Sequence, residues 1–313
     1  MGVTIGVDIG GTKIAAGVVD EQGKILEKVR RETPATDAEA IEDAIIDAVG
    51  ELRGRHQVDA VGVGAAGLVD AARATVLAAP NVAWRDEPMR TDLERALDLT
   101  VVVENDANAA AWGEFTFGAA EDADDTLLVT VGTGVGGGLV LDGELYRGAF
   151  GVAGEIGHLR MMPRGRVCGC GRLGCWEQYA SGTAMVRAAR EAVAAGSGQV
   201  AGLLERAGGA PEQIEGPLIT AAARDGDAFA VELLADTGRW LGEGIAMLAA
   251  VLDPAVAILG GGVSEAGDLI LEPAREAFAA NLTFREYRPI LEIRLATLGG
   301  EAGLIGAADL ARH

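Results

Sequence analysis

The period of the apolar positions changes along this chain, and each change marks a new element. Residues 3 to 9, 14 to 19 and 24 to 30 are apolar or alternating runs, separated by Gly10-Gly11-Thr12 and by Asp20-Glu21-Gln22-Gly23. Runs of this kind with turn residues between them predict two consecutive hairpins. From 37 to 53 the period lengthens, with Ile41, Ile45, Ala48, Val49 and Leu52 at helical spacing and acids on the opposite face. A strand over 58 to 66, a short helix over 91 to 97, a strand over 100 to 103 and a helix over 107 to 115 follow. The order is βββαβαβα.

A second copy of this pattern comes next. Laying V-D-I-G-G-T-K-I-A-A-G-V-V (7 to 19) over V-T-V-G-T-G-V-G-G-G-L-V-L (129 to 141) superposes two strand, glycine turn, strand units, with Gly10 over Gly132. Further on, the spacing predicts a long helix near 227 to 252, a strand over 255 to 259, a helix over 265 to 281, a strand over 290 to 296 and a closing helix over 301 to 311. The expected fold is α/β, a duplicated ribonuclease-H-like (actin/hexokinase-like) unit with nucleotide in a cleft between two lobes. The small α/β lobe is expected at 1–117 with the C-terminal helix of about 301–313, and the large α/β lobe at 118–300.

Composition fits this reading and removes some functions. The 313 residues suffice for two domains, and 49% hydrophobic with only 4% aromatic residues calls for a core of Ala, Val, Leu and Ile. A formal charge of -21 argues against nucleic acid or anionic membrane as partner, because both demand a basic face. The opening MGVTIGVDIGGT runs into a strand without the basic and apolar regions of an export signal, and no apolar run reaches membrane-spanning length. A cytoplasmic location is expected. In that compartment three cysteines crowded into one short stretch suggest metal more than a disulfide framework.

That stretch is the most specific chemical signal. His158, Cys168, Cys170 and Cys175 fall within 18 residues as H-x9-C-x-C-x4-C, which matches a closed Cys₃His structural zinc site. The alternative is a satisfied core histidine with inert cysteines. Glu155 and Glu177 bracket the four, so closing a metal loop would also aim both acids. If one ring nitrogen of His158 binds metal, the other must donate, and a sugar hydroxyl is a suitable acceptor.

Three glycine turns stand apart from it. In Asp8-Ile9-Gly10-Gly11-Thr12-Lys13 the glycines admit backbone N–H groups to phosphate oxygens, Thr12 adds a hydroxyl and Asp8 is a hard ligand suited to Mg²⁺. A plain hairpin turn is the competing reading. Gly132-Thr133-Gly134 repeats the arrangement in the second copy, and Gly260-Gly261-Gly262 follows the strand at 255 to 259. Two matches to the dinucleotide fingerprint, at Gly62 and Gly132, lack its strand-to-helix context, and no P-loop motif occurs. Glu104-Asn105-Asp106-Ala107-Asn108 closes an apolar strand where α/β sites lie. Asp106 is the candidate general base and Asn105 its orienting partner, with helix N-capping as the alternative.

Taken together, these motifs resemble the ROK family (repressor, open reading frame, kinase), and within it the bacterial ATP-dependent glucokinases. The resemblance rests on D-I-G-G-T-K at 8 to 13, E-N-D-A-N at 104 to 108, V-G-T-G-V-G-G-G at 131 to 138, G-E-I-G-H at 154 to 158 and C-G-C-G-R-L-G-C-W-E at 168 to 177. It implies phosphoryl transfer from MgATP to the 6-hydroxyl of glucose, with Asp106 as base. Asn105, Glu155, His158 and Glu177, with Gly67 of the loop Gly64 to Gly67, would hold the sugar. Asp8, Gly10, Gly11, Thr12, Lys13, Gly132, Thr133, Gly134, Gly261 and Gly262 would serve the nucleotide. His158, Cys168, Cys170 and Cys175 would bind structural Zn²⁺. A homodimer or homotetramer is implied too. The alternatives are a kinase for fructose, mannose, allose or an N-acetyl amino sugar, and a sugar-responsive repressor, which is the less expected because such proteins carry a helix-turn-helix segment ahead of the first strand and the charge here is strongly negative.

Overall fold

A computed structural model describes residues 2–79 and 82–313. Strands β1 (Val3–Ile9), β2 (Lys13–Val19) and β3 (Ile25–Glu32) form the opening meander. Helix α1 (Ala38–Arg53) starts where Asp37 accepts the Ala40 N–H, and buries Ile41, Ile45, Ala48, Val49 and Leu52. After β4 (Val58–Ala65) come three short strands, β5 (Leu68–Val69), β6 (Val76–Ala78) and β7 (Arg85–Glu87). Helix α2 (Met89–Leu97), β8 (Thr100–Asn105) and α3 (Asp106–Phe117) complete the first copy.

The second copy opens with β9 (Thr126–Val131), β10 (Val135–Leu141) and β11 (Glu144–Leu145). Helices α4 (Glu177–Ala180), α5 (Gly182–Ala194), α6 (Ala201–Arg206), α7 (Gly216–Arg224) and α8 (Ala228–Leu252) follow. Then come β12 (Val256–Gly260), α9 (Asp268–Asn281), β13 (Glu292–Leu295) and α10 (Ala302–Leu310). The helix expected over 265 to 281 is divided, because Gly267 at φ 65° separates a 3₁₀ turn from α9.

Strand order confirms the duplication. The first sheet runs β3-β2-β1-β4-β8 and the second β11-β10-β9-β12-β13, so each copy of the pattern places its strands 3-2-1-4-5 in its own numbering. A third sheet, β5-β6-β7, was not foreseen. Strands of two or three residues are too short to show a period.

The chain packs as two compact units. One holds residues 1–128, 137–154 and 297–313, and the other 129–136 and 155–296. Residues 118–128 and 137–154, which the sequence pattern puts in the large lobe, therefore belong to the first unit. One reason is that Gly138 of β10 lies against α3, where an added Cβ would meet the Ala111 methyl at 2.4 Å. Another fixes the return of the chain at 297. Glu114, fully buried near the end of α3, accepts the N–H groups of Thr297 and Leu298. Helix α10 then docks on the first sheet. Gly6 and Gly62 stand opposite each other on β1 and β4, and a Cβ on either would sit within 2 Å of the α10 carbonyls of Leu304 and Ala307. Small residues here set how closely the helix approaches.

Candidate active site

In the first unit, the turn between β1 and β2 is pinned from one side. Gly10 N–H donates to the Lys13 carbonyl at 3.0 Å, and Thr33 donates through N to Thr12 O and through Oγ1 to Gly10 O. Gly11, Thr12 and Lys13 remain exposed. Asp8 lies at the end of β1, where burial pushes its carboxyl up to about 6, Lys13 pulls it down and Glu301 pushes it up. A buried carboxylate in this condition favours an added hard cation.

At the end of β8 one amide side chain has three tasks. Asn105 Oδ1 accepts the Asn108 N–H at 3.0 Å and so caps α3, while Nδ2 donates to Gly67 O and to Asp106 Oδ1, each at 3.0 Å. Capping and chemistry are therefore not alternatives, since the cap also orients the acid. Asp106 Oδ1 also accepts the Ala107 N–H at 2.9 Å. Gly67 enters through its carbonyl, and a Cβ there would meet Ala78 O at 2.6 Å, so packing against β6 already requires glycine.

Beneath this lies a group that sequence reasoning missed. Glu104 is 1% exposed; its Oε1 accepts from Asn105 N and from Asn108 Nδ2, and its Oε2 lies 2.7 Å from Arg147 Nε and 3.2 Å from Arg73 Nε. Arg147 also donates to the carbonyls of Asp70 and Ala71. Glu104 is visible in the motif, but Arg73 and Arg147 sit in loops without any local pattern to announce them.

In the second unit, the ligand atoms of His158, Cys168, Cys170 and Cys175 all lie within 4.8 Å of one another. Cys170 Sγ and Cys175 Sγ are 3.6 Å apart, as are Cys168 Sγ and His158 Nδ1. Tetrahedral zinc with ordinary bond lengths requires donors roughly 3.3–3.8 Å apart, and these two pairs already have that spacing, so the four residues could hold one ion. The intervening loop is closed by β-bridges Arg160–Cys175 and Val167–Leu173. Trp176 anchors it; the side chain is fully buried, its Nε1 donates to Trp240 O at 2.8 Å, and its ring fills the space that a Gly244 side chain would need.

Both flanking acids face this cluster. His158 Nδ1 is turned toward the cysteines, leaving Nε2 3.7 Å from Glu155 Oε2. Burial pushes the Glu155 carboxyl up, with His158 opposing and Glu177 adding to it. Glu177 opens α4, with Oε1 2.9 Å from Cys168 Sγ and 3.9 Å from His158 Nδ1.

The two glycine turns of this unit are neighbours. Gly132 N–H donates to Gly134 O at 3.0 Å, and Gly132 O accepts the Gly182 N–H at the start of α5. Gly261, at φ 82°, lies so close to the backbone of Val131 that a Cβ would be 2.5 Å from its carbonyl. A Cβ added to Gly262 would meet nothing within 4 Å among the described residues, chain neighbours aside.

The ROK family pattern matches residues 4–313. This chain belongs to the ROK family. It is 52% identical over 313 residues to the glucokinase of Streptomyces coelicolor, covering 100% of this chain and 98% of the relative. Among solved structures, a ROK family glucokinase from Streptomyces griseus in complex with glucose and AMPPNP superposes with a TM-score of 0.92 and 54% identity, covering 99% of both chains. A ROK hexokinase from Thermus thermophilus gives 0.79 and 36%, covering 99% of this chain and 98% of that one.

Proposed function

We propose that this ROK protein is a glucokinase, transferring the γ-phosphoryl group of ATP to the 6-hydroxyl of glucose. The observation that carries the reading is the full-length likeness to the Streptomyces griseus glucokinase complexed with glucose and AMPPNP. Asp106 takes the proton from the 6-hydroxyl as that oxygen bonds to the γ-phosphorus and the bond to the ADP oxygen breaks. Asn105, 3.0 Å from Asp106 Oδ1, holds the acceptor carboxylate in place. Most of the rate then comes from alignment and charge compensation, since phosphoryl transfer leaves the protein little covalent work.

Glu155, His158 and Glu177 pair the sugar hydroxyls. A sugar that leaves one of these half-buried acids unpaired is rejected at a cost of about 1–3 kcal/mol per group. The turn at Gly10 to Lys13, the turn at Gly132 and Thr133, and Gly261 and Gly262 receive the nucleotide through backbone N–H groups. Mg²⁺, when bound, spreads the charge developing on the phosphates, and Asp8 is the residue suited to hold it. Cys168, Cys170, Cys175 and His158 Nδ1 would hold a zinc ion, which would serve a structural role by closing the loop.

The protein works in the cytoplasm. Among the described residues no helix is long and apolar enough to cross a membrane, and the charge of -21 disfavours nucleic acid. A homo-oligomer fits the exposed Met247, Val251, Phe284, Tyr287 and Ile290, which lie on α8 and on the segment Arg288 ties to it through Ala249 O. Turnover of a hexose panel with ATP tests the substrate. Glucose should give the highest kcat/KM, and absence of turnover with glucose refutes the proposal.

A further inference from the structure

The turn Gly132-Thr133-Gly134 meets the stretch from Glu155 to Glu177 at two places within the second unit. At the first, a Cβ on Gly157 would sit 2.0 Å from the Val135 carbonyl, backbone against backbone. At the second, a Cβ on Gly134 would sit 2.7 Å from Glu177 Oε2. Among the described residues, chain neighbours aside, the only other atom within 4 Å of that point is Glu177 Cδ at 3.8 Å. Gly134 is not among the glycines with left-handed φ, so its backbone does not require glycine. Gly132, in the same turn, has none of the described residues within 4 Å of its added Cβ, chain neighbours aside.

We propose that Gly134 is a positioning residue for glucose recognition, its missing side chain being the space that seats Glu177 Oε2. The inference rests on the reading of Glu177 as a sugar-binding acid. Oε2 of the carboxylate occupies the place where a Gly134 Cβ would project, and Oε1 lies 2.9 Å from Cys168 Sγ, a thiol contact that metal binding at Cys168 would remove, leaving the Gly134 side to fix the carboxylate. A methyl group at 134 displaces the far end of a flexible side chain and little else. The fold tolerates that displacement; a carboxylate aimed at one hydroxyl does not. A glycine in a turn read as phosphate-binding thus serves the sugar side of the reaction.

A double-mutant cycle tests this, using Gly134→Ala, Glu177→Ala and the pair. Glucose affinity is measured calorimetrically without nucleotide, and the KM for ATP and the bound metal are measured alongside. Gly134→Ala should weaken glucose roughly tenfold, with metal content retained and the KM for ATP within about twofold of wild type. In the Glu177→Ala background, the same substitution should change glucose affinity by less than about twofold. Additive losses, or a raised KM for ATP with glucose affinity intact, overturn the inference and return Gly134 to the phosphate turn. Should Glu177→Ala alone leave glucose affinity unchanged, the assignment of Glu177 as a sugar acid is what fails. If Gly134→Ala alone does not fold, a folded double variant supports the clash with Glu177, and an unfolded one refutes it.

Discussion

Asn105 illustrates how much one side chain decides at the residue scale. Its amide caps α3, ties down the Gly67 carbonyl and orients Asp106. Replacing Asp106 by Ala removes the proton acceptor and leaves this frame standing. The kcat of Asp106→Ala should fall by roughly 10²–10⁴, with glucose binding by calorimetry largely retained; substantial residual turnover would remove Asp106 as base. Asp8 yields a pH prediction. Its carboxyl stands at about 6 in the fold against 3.8 in an ordinary setting. A carboxyl pKa raised by folding favours the fold below about 4, and that contribution is lost as pH rises through 6. Asp8→Asn should therefore be more stable than wild type at pH 7.5, by the order of 3 kcal/mol. The gain should vanish near pH 4 and be accompanied by weaker MgATP binding. An equal difference in Tm at both pH values would contradict this account.

Elements carry the next level. The stretch from Glu155 to Glu177 contains little regular structure, and what shapes it is the donor cluster, the Trp176 anchor on α8 and the contact of Gly157 with β10. Cys170→Ser should release the metal, as read by elemental analysis, and should lower Tm and glucose affinity together. Metal loss with unchanged glucose affinity would separate the cluster from sugar binding. In the first unit, the Glu104 carboxylate joins β8 to the loops bearing Arg73 and Arg147. With Arg147 removed, Arg73 Nε still stands 3.2 Å from Glu104 Oε2, so the buried charge keeps one partner, and Arg147→Ala should cost about 2 kcal/mol in urea unfolding. A loss below about 1 kcal/mol would put the pair in the class of surface bridges.

For the whole molecule, 47 acidic residues against 26 Lys and Arg make self-repulsion a standing cost of compactness. Raising NaCl from about 0.05 to about 0.5 M should raise Tm, because screening acts on spread surface charge more than on buried pairs. A fall in Tm would mean that surface ion pairs such as Arg31 with Asp47 and Glu51 outweigh the repulsion. The duplicated architecture, the glycine turns, the E-N-D-A-N strand end and the clustering of His158 with the three cysteines were all legible in the amino-acid order. Each is local: a period, a turn or a ligand spacing reports on residues close in the chain. Which unit receives residues 137–154, which arginines neutralise Glu104 and why Gly134 lacks a side chain were decided by the tertiary structure. Each of those depends on atoms brought together from distant parts of the chain, and local periodicity holds no record of such a meeting.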